Sequence, residues 1–242
     1  MAKYCDWLDL GDASRVLDVG CGDGTTVRVL ADKGVEAVGV DLRPSPWPEG
    51  PSFVLGDGSC LPFRDGSFDA VGSFTVLEHL TDPERFIRES VRVLRPGGRI
   101  VVASPNLYGS ILLHPGHALS HRGGLPRYAR NFLLHLGKWA RAVVVPRRVG
   151  FDLLRPDVSQ AFPGATDYDA VCAADPSVVR AVLRRNGVRP VYQSPSLEYS
   201  SSRIVGAVTK ALEVLPLLRD LFGGVFIVGR RGDAPRAEAA RA

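Results

Sequence analysis

Residues Val16 to Thr25 read Val-Leu-Asp-Val-Gly-Cys-Gly-Asp-Gly-Thr, an apolar strand running straight into a glycine-rich turn, with a helical pattern from Thr26 to Lys33 directly behind it. Gly20, Gly22 and Gly24 let the backbone bend tightly and approach a ligand closely, because no Cβ stands in the way. Asp41 follows Gly20 by 21 residues and ends a second apolar run, Glu36-Ala-Val-Gly-Val-Asp41. A carboxylate at that distance closes the neighbouring parallel strand and can accept both hydroxyls of a ribose. The chain therefore opens with a nucleoside-binding βαβ unit.

The glycine spacing narrows the nucleoside. A dinucleotide fingerprint, G-x-G-x-x-G, would need its third glycine where Thr25 stands. Here the glycines alternate as G-x-G-x-G, and Asp18 lies two residues before the first. A carboxylate there is badly placed for a pyrophosphate and well placed for a cationic amino-acid tail. Four further segments follow in order: Phe53-Val-Leu-Gly-Asp57-Gly-Ser-Cys-Leu-Pro-Phe63, Ser67-Phe-Asp-Ala-Val-Gly-Ser-Phe74, Val76-Leu-Glu-His-Leu80 and Arg92-Val-Leu-Arg-Pro-Gly-Gly-Arg-Ile-Val-Val102.

Over residues 14 to 104 this series resembles the class I S-adenosylmethionine (SAM)-dependent methyltransferases, and within them the enzymes of quinone and small-molecule biosynthesis. The resemblance implies a Rossmann-like, doubly wound α/β sheet of seven strands, mostly parallel, whose last strand enters antiparallel between its neighbours. It implies SAM as cofactor, with Asp18 and the backbone of Gly20, Cys21 and Gly22 toward the methionine portion. Asp41 takes the ribose, with Leu42 beside the adenine; Asp57, with the backbone of Gly58 and Ser59, takes the adenine rim, and Thr75 completes the set. The implied reaction is methyl transfer to an O, N or C atom of a small-molecule or lipid-like acceptor.

Strands are expected at 15–20, 36–41, 99–104, 188–193 and 224–230, with helices at 25–33 and from Asp175 to Asn186-Gly187. Alternation of this kind argues for a parallel sheet with helices on both faces. A further helix starts at Asp82 or Thr81 as cap, carries Pro83 in its first turn and is stopped by Gly97. The run Leu42-Arg-Pro-Ser-Pro-Trp-Pro-Glu-Gly-Pro51 departs from the family pattern. Its four prolines exclude a helix interior, which leaves an extended loop with Trp47 over the adenine edge. Residues 1–230 read as one methyltransferase domain, 105–170 as a basic lid or substrate insertion after strand five, and 231–242 as a disordered tail.

Charge is concentrated in that insertion. No carboxylate occurs between Glu89 and Asp152, while ten Arg and Lys residues do, so the chain's net +4 becomes −6 outside this stretch. Over 125–145, Arg127, Arg130, Lys138 and Arg141 gather on one helical face, and Phe132, Leu133, Leu136, Trp139, Ala140, Val143 and Val144 fill the other. This helix is a lid whose apolar face packs on the core, a contact with an anionic membrane surface, or a binder of an anionic substrate or nucleic acid. The four cysteines are scattered and His114, His117 and His121 lack helical metal-site spacing, so reduced thiols and no metal are expected. No leader-like or bilayer-spanning apolar run is read, and a cytoplasmic protein, peripheral at most to the inner membrane face, is expected.

His79, just past strand four, is the candidate general base, since an imidazole can take a proton near neutral pH. The same Leu-Glu-His element also fits a helix start. Alternatives stay open: an RNA- or protein-directed methyltransferase, a nicotinamide oxidoreductase, or a noncatalytic nucleotide-binding protein of the same fold. Ser104-Pro-Asn106 is not the N-P-P-Y type element of base-methylating enzymes, which argues against nucleobase amino methylation.

Overall fold

The computed structural model describes residues 1–11, 14–44, 52–106, 124–153, 170–195, 207, 210–211, 213–222 and 224–233, with backbone only for 124–132, 218, 221 and 222. The loop carrying Trp47, the three irregularly spaced histidines and residues 234–242 lie outside it, as do the side chains of Arg127, Arg130 and Phe132.

Strands β1 (Arg15–Val19), β2 (Glu36–Asp41), β3 (Phe53–Leu55), β4 (Phe68–Phe74), β5 (Leu94–Ser104), β8 (Val188–Ser194) and β9 (Val225–Arg231) form one sheet in the order β3-β2-β1-β4-β5-β9-β8. The first five are mutually parallel, and β9 inserts antiparallel between β5 and β8 as the resemblance implies. A separate two-stranded ribbon pairs β6 (Asp152–Leu153) with β7 (Cys172–Ala173). The order reverses at β1, which sits between β2 and β4. In open α/β sheets this switch point opens the crevice at the strands' carboxyl ends.

Strand alternation explains how both faces are buried. Leu17 and Val19 of β1, Ile100 and Val102 of β5, and Val225 and Ile227 of β9 share a core with Phe86 and Ile87 of α3 (Pro83–Val93) and Val178 and Val182 of α5 (Pro176–Arg185). Val16, Val101, Ala103, Phe226 and Val228 point the other way, to Tyr4 and Leu8 of α1 (Ala2–Leu8) and Val27 and Leu30 of α2 (Thr25–Ala31). Asp82 caps α3 by accepting from Arg85 N at 3.0 Å, and Asp175 caps α5 by accepting from Ser177 N at 2.7 Å. The first of these helices ends earlier than expected. Leu94 is already extended (φ −75°, ψ 132°), and Gly97 (φ 74°) instead turns the strand that follows. β9 also runs on through Arg231, whose guanidinium bonds the carbonyls of Val91 and Arg92, so the expected tail boundary moves outward.

The insertion helix, α4 (Gly124–Val144), packs on α5 and on α6 (Pro216–Phe222). Its orientation corrects the sequence expectation. His135, Trp139 and Ala142 face inward: His135 Nε2 lies 2.9 Å from Asp175 Oδ2, and Trp139 Nε1 donates to the buried Asp220 at 3.0 Å. Lys138, expected among the solvated cations, is turned in beside Asp152 at 2.5 Å. Leu133, Leu134, Val143 and Val144 are 57–76% exposed, so those apolar residues do not pack on the sheet. Inward polar partners, absent from a hydrophobicity pattern, set the rotation of this helix.

Candidate functional site

A cleft of about 550 Å³ opens over the carboxyl ends of β1, β2 and β4 and is lined by Gly20, Gly22, Asp41, Leu42, Asp57, Gly58, Thr75 and His79 among others. Eight of the sequence-predicted residues thus converge. The turn after β1 is held by Gly20 N and Cys21 N donating to Val40 O at 2.7 and 3.1 Å. Gly20 has φ 78°, and a Cβ there would stand 2.3 Å from Val76 Cγ2. Gly22 (φ 54°) faces open space, with nothing within 4 Å of its would-be Cβ. Gly58 is equally constrained, since a Cβ would meet Phe86 at 2.6 Å and Val19 at 2.8 Å. At Gly20 and Gly58 the backbone is thus bared where a side chain could not fit.

Asp41 is the charged centre of this wall. Its Oδ2 accepts from Gly22 N at 2.8 Å and its Oδ1 from Arg43 N at 2.9 Å, and its side chain stays 12% exposed. Each oxygen keeps lone-pair capacity for a hydroxyl donor. Asp57 is exposed just past the end of the adjacent strand β3, where its Oδ1 accepts from Ser59 N at 2.7 Å. Leu42 is 72% exposed at the edge, an apolar surface for a flat base. Thr75 carries φ 54°, held by its N–H donating to Ala103 O at 2.8 Å. A β-branched residue in that region is strained, and such strain concentrates at ligand clamps.

Three expected cofactor residues do not line the cleft. Ser59 turns its carbonyl to Arg85 Nε at 2.9 Å. Cys21 puts its sulfur on the covered side, against Gly39, where burial and then the Asp18 and Asp41 charges push the thiol up to about 12. Only its backbone belongs to the turn. Asp18 is 4% exposed and lies on the face that α1 covers, where Tyr4 Oη donates to its Oδ1 at 2.6 Å. Sequence reasoning missed this Tyr4 contact. Its trace is Gly72, where a Cβ would be 2.2 Å from the Tyr4 hydroxyl, so the strand must be bare to admit the ring. Glu78 is also not a cleft group: it is fully buried, its Oε2 accepting from Ser104 Oγ at 2.8 Å and its backbone carbonyl from Val171 N at 2.7 Å. That anchoring fixes the turn that presents His79 at the cleft, with its side chain 38% exposed and its Nε2 3.9 Å from Glu78 Oε1. The walls contributed by Phe74, Val76, Leu80 and Phe86 were not predicted either.

Burial raises the Asp18 carboxyl to about 6, against the hydrogen bonds from Tyr4 and Thr26 that favour its charge. The native chain then keeps a proton that the unfolded chain has lost between about pH 4 and 6. This residue's contribution to stability is present below that window and lost as pH rises through it. Asp18→Asn should flatten that part of the stability profile, measured by urea melts from pH 4 to 7; an unchanged slope would refute the assignment.

The family description "Methyltransferase domain" matches residues 17–102. Curated relatives include demethylmenaquinone methyltransferase of Beutenbergia cavernae, 42% identical over 104 residues, covering 40% of this chain and 43% of the relative. Norajmaline N-methyltransferase of Rauvolfia serpentina is 39% identical over 103 residues, 37% of this chain and 35% of its own. The chain spans less than half the length of these relatives. A SAM-dependent methyltransferase from Mesorhizobium loti has the same fold, with a TM-score of 0.61 at 18% identity over 95% of this chain and 96% of that one. So does 1,6-didemethyltoxoflavin-N1-methyltransferase of Burkholderia thailandensis, solved with 1,6-didemethyltoxoflavin and S-adenosylhomocysteine, with a TM-score of 0.55 at 16% identity over 96% and 77%. Residues 17–102 thus match a methyltransferase domain, and the sheet has the fold of these solved methyltransferases.

Proposed function

We propose that this protein transfers a methyl group from SAM to a small or lipid-like acceptor entering the cleft beside Thr75 and His79. The observation that carries the reading is the convergence of Asp41, the bared glycine turn and Asp57 on one cleft at the switch point of the sheet. Asp41 would hold the ribose, the Gly20–Gly22 backbone the methionine portion, and Leu42 with Asp57 the adenine. Asp18, beneath the turn, supplies negative potential to that end instead of a direct wall. Bound there, SAM supplies an electrophilic methyl carbon on a sulfonium, whose C–S bonding pair leaves with the sulfur as the acceptor bonds the carbon. The chain's share is to orient the two reactants, exclude water and, at His79, receive the acceptor's proton. Names such as demethylmenaquinone and norajmaline among the relatives support a small-molecule acceptor. Calorimetric titration with SAM and with NADH, followed by labelled-methyl transfer to cell extract, tests the reading. Saturable NADH binding without SAM binding would sink it.

His79→Ala should leave SAM affinity within about twofold and lower turnover on the identified acceptor by about 100-fold or more. Full turnover would remove the base and leave the acceptor nucleophilic on its own.

The exposed apolar face of α4 supports a second element of the reading, peripheral contact with an anionic membrane. No helix of the described residues is long and apolar enough to cross a bilayer. Leu133, Leu134, Val143 and Val144 are exposed on a helix that also carries exposed Arg141 and is followed by exposed Arg147 and Arg148, a composition suited to an acyl boundary under anionic headgroups. Co-sedimentation with anionic vesicles at low salt should fall at high salt as the charges are screened. Leu133→Asp with Val144→Asp should abolish it. No binding at low salt refutes the contact.

A further inference from the structure

The sheet carries a second recess on the rim opposite the cofactor cleft, at the amino end of β5. It measures about 370 Å³ and is lined by Trp7, Asp69, Arg95, Arg99, Arg189 and Arg230 together with the Gly97–Gly98 turn. Register brings the cations together. Arg99 of β5 is directly paired with Arg230 of β9, and Arg230 is directly paired with Arg189 of β8. Directly paired residues share a face, so three arginines stand in a row across three adjacent strands, past the end of α1. Like charges in directly opposed positions destabilise a sheet, and Asp69, already ion-paired with Arg95, is the single carboxylate among the described residues of the lining, with Asp233 close by at Gly97.

Two members of the row are also held in place. Arg99 donates to Trp7 O at 2.9 Å and lies 5.5 Å from the Trp7 ring centroid, while Arg230 donates to Gly97 O at 2.9 Å. Each of these engages one backbone acceptor and retains further N–H donors. The exposed Arg189 side chain makes no hydrogen bond or ion pair among the described residues. Partial burial and then the Arg230 charge lower the Arg99 guanidinium pKa, and an anion entering the recess would offset that charge.

We propose that this recess binds the oligophosphate group of a small ligand, of the size of pyrophosphate or a nucleoside diphosphate. Guanidinium forks engage phosphate oxygens in pairs. Forks on successive strands, about 4.8 Å apart, suit successive phosphates, where a single carboxylate would satisfy only one. A recess of about 370 Å³ fits a compact ligand better than an extended strand of nucleic acid.

Titration calorimetry with pyrophosphate at low ionic strength should show one saturable site and a raised melting temperature. Arg189→Gln with Arg230→Gln should weaken it at least tenfold, while circular dichroism shows the same fold and a melting point no lower than the parent's, since paired cations have been removed. Should that double variant fail to fold, Arg189→Gln alone, at an exposed position, should still weaken binding several-fold. ADP binding as tightly as pyrophosphate assigns recognition to the phosphates, and tighter ADP binding adds the nucleoside; either supports the site. The proposal is overturned by absence of saturable binding, by unchanged binding in the folded variants, by sulfate or orthophosphate binding as tightly as pyrophosphate, or by displacement of pyrophosphate by a much tighter single-stranded oligonucleotide.

Discussion

Replacing Asp41 by alanine is expected to weaken SAM and S-adenosylhomocysteine binding by about 100-fold or more in a protein that still folds. The ribose hydroxyls would lose a charged acceptor, and charge-assisted bonds of this kind contribute roughly 1.5–3 kcal/mol each, where about 1.4 kcal/mol is tenfold. The structure adds a second loss. Asp41 Oδ2 also accepts from Gly22 N at 2.8 Å, so the carboxylate ties the end of β2 to the glycine turn. Asp41→Asn keeps an acceptor for Gly22 N and should fall between parent and alanine. Unchanged affinity in folded Asp41→Ala, measured by titration calorimetry, would remove the ribose assignment.

Gly20→Ala should be the most damaging small substitution in the turn. Its φ of 78° lies in the left-handed region, and the new methyl would sit 2.3 Å from Val76 Cγ2 and 3.1 Å from Cγ1. Left-handed backbone costs an L-residue roughly 1–2 kcal/mol, and overpacking typically adds about 1–3 kcal/mol. Valine has no flexible end to swing aside. The two contributions can be separated: Val76→Ala should restore the steric part in the double variant and leave the backbone part. A Gly20→Ala protein with parental stability in urea and parental SAM affinity would show that the turn relaxes freely. Gly22→Ala is the informative contrast. Its methyl meets nothing within 4 Å, so its stability cost should be the backbone part alone, while cofactor binding suffers because the methyl projects toward the cleft.

Much of the site was legible because its determinants are local. A glycine turn between an apolar strand and a helix, with a carboxylate at the end of the next strand, dictates both the βαβ unit and where Asp41 lies. Asp82 and Asp175 announce their helices for the same reason, since a cap is a contact between near neighbours in sequence. Asp18 was legible as a residue and not as a position. Its strand parity sends it to the face covered by α1 and α2, where Tyr4, fourteen positions away, donates to it. The row of Arg99, Arg230 and Arg189 has no local signature at all, because its members come from three strands aligned by pairing.

The long helix draws the boundary most sharply. Hydrophobic periodicity located it to within a residue at each end, because 3.6-residue spacing is a property of the chain. Its rotation depended on partners elsewhere: Asp175 for His135, Asp220 for Trp139 and Asp152 for Lys138. Buried polar groups must find partners, and that requirement outweighed the burial of Leu133, Leu134, Val143 and Val144. Short-range patterns and strand parity were enough for the alternating strands and helices, the glycine turn and the carboxylates at the strand ends, while the doubly wound order came from the family resemblance. Only the tertiary structure decided which of those carboxylates meets the cleft, which face the lid helix turns outward and where the arginines meet, since each depends on groups brought together across the fold.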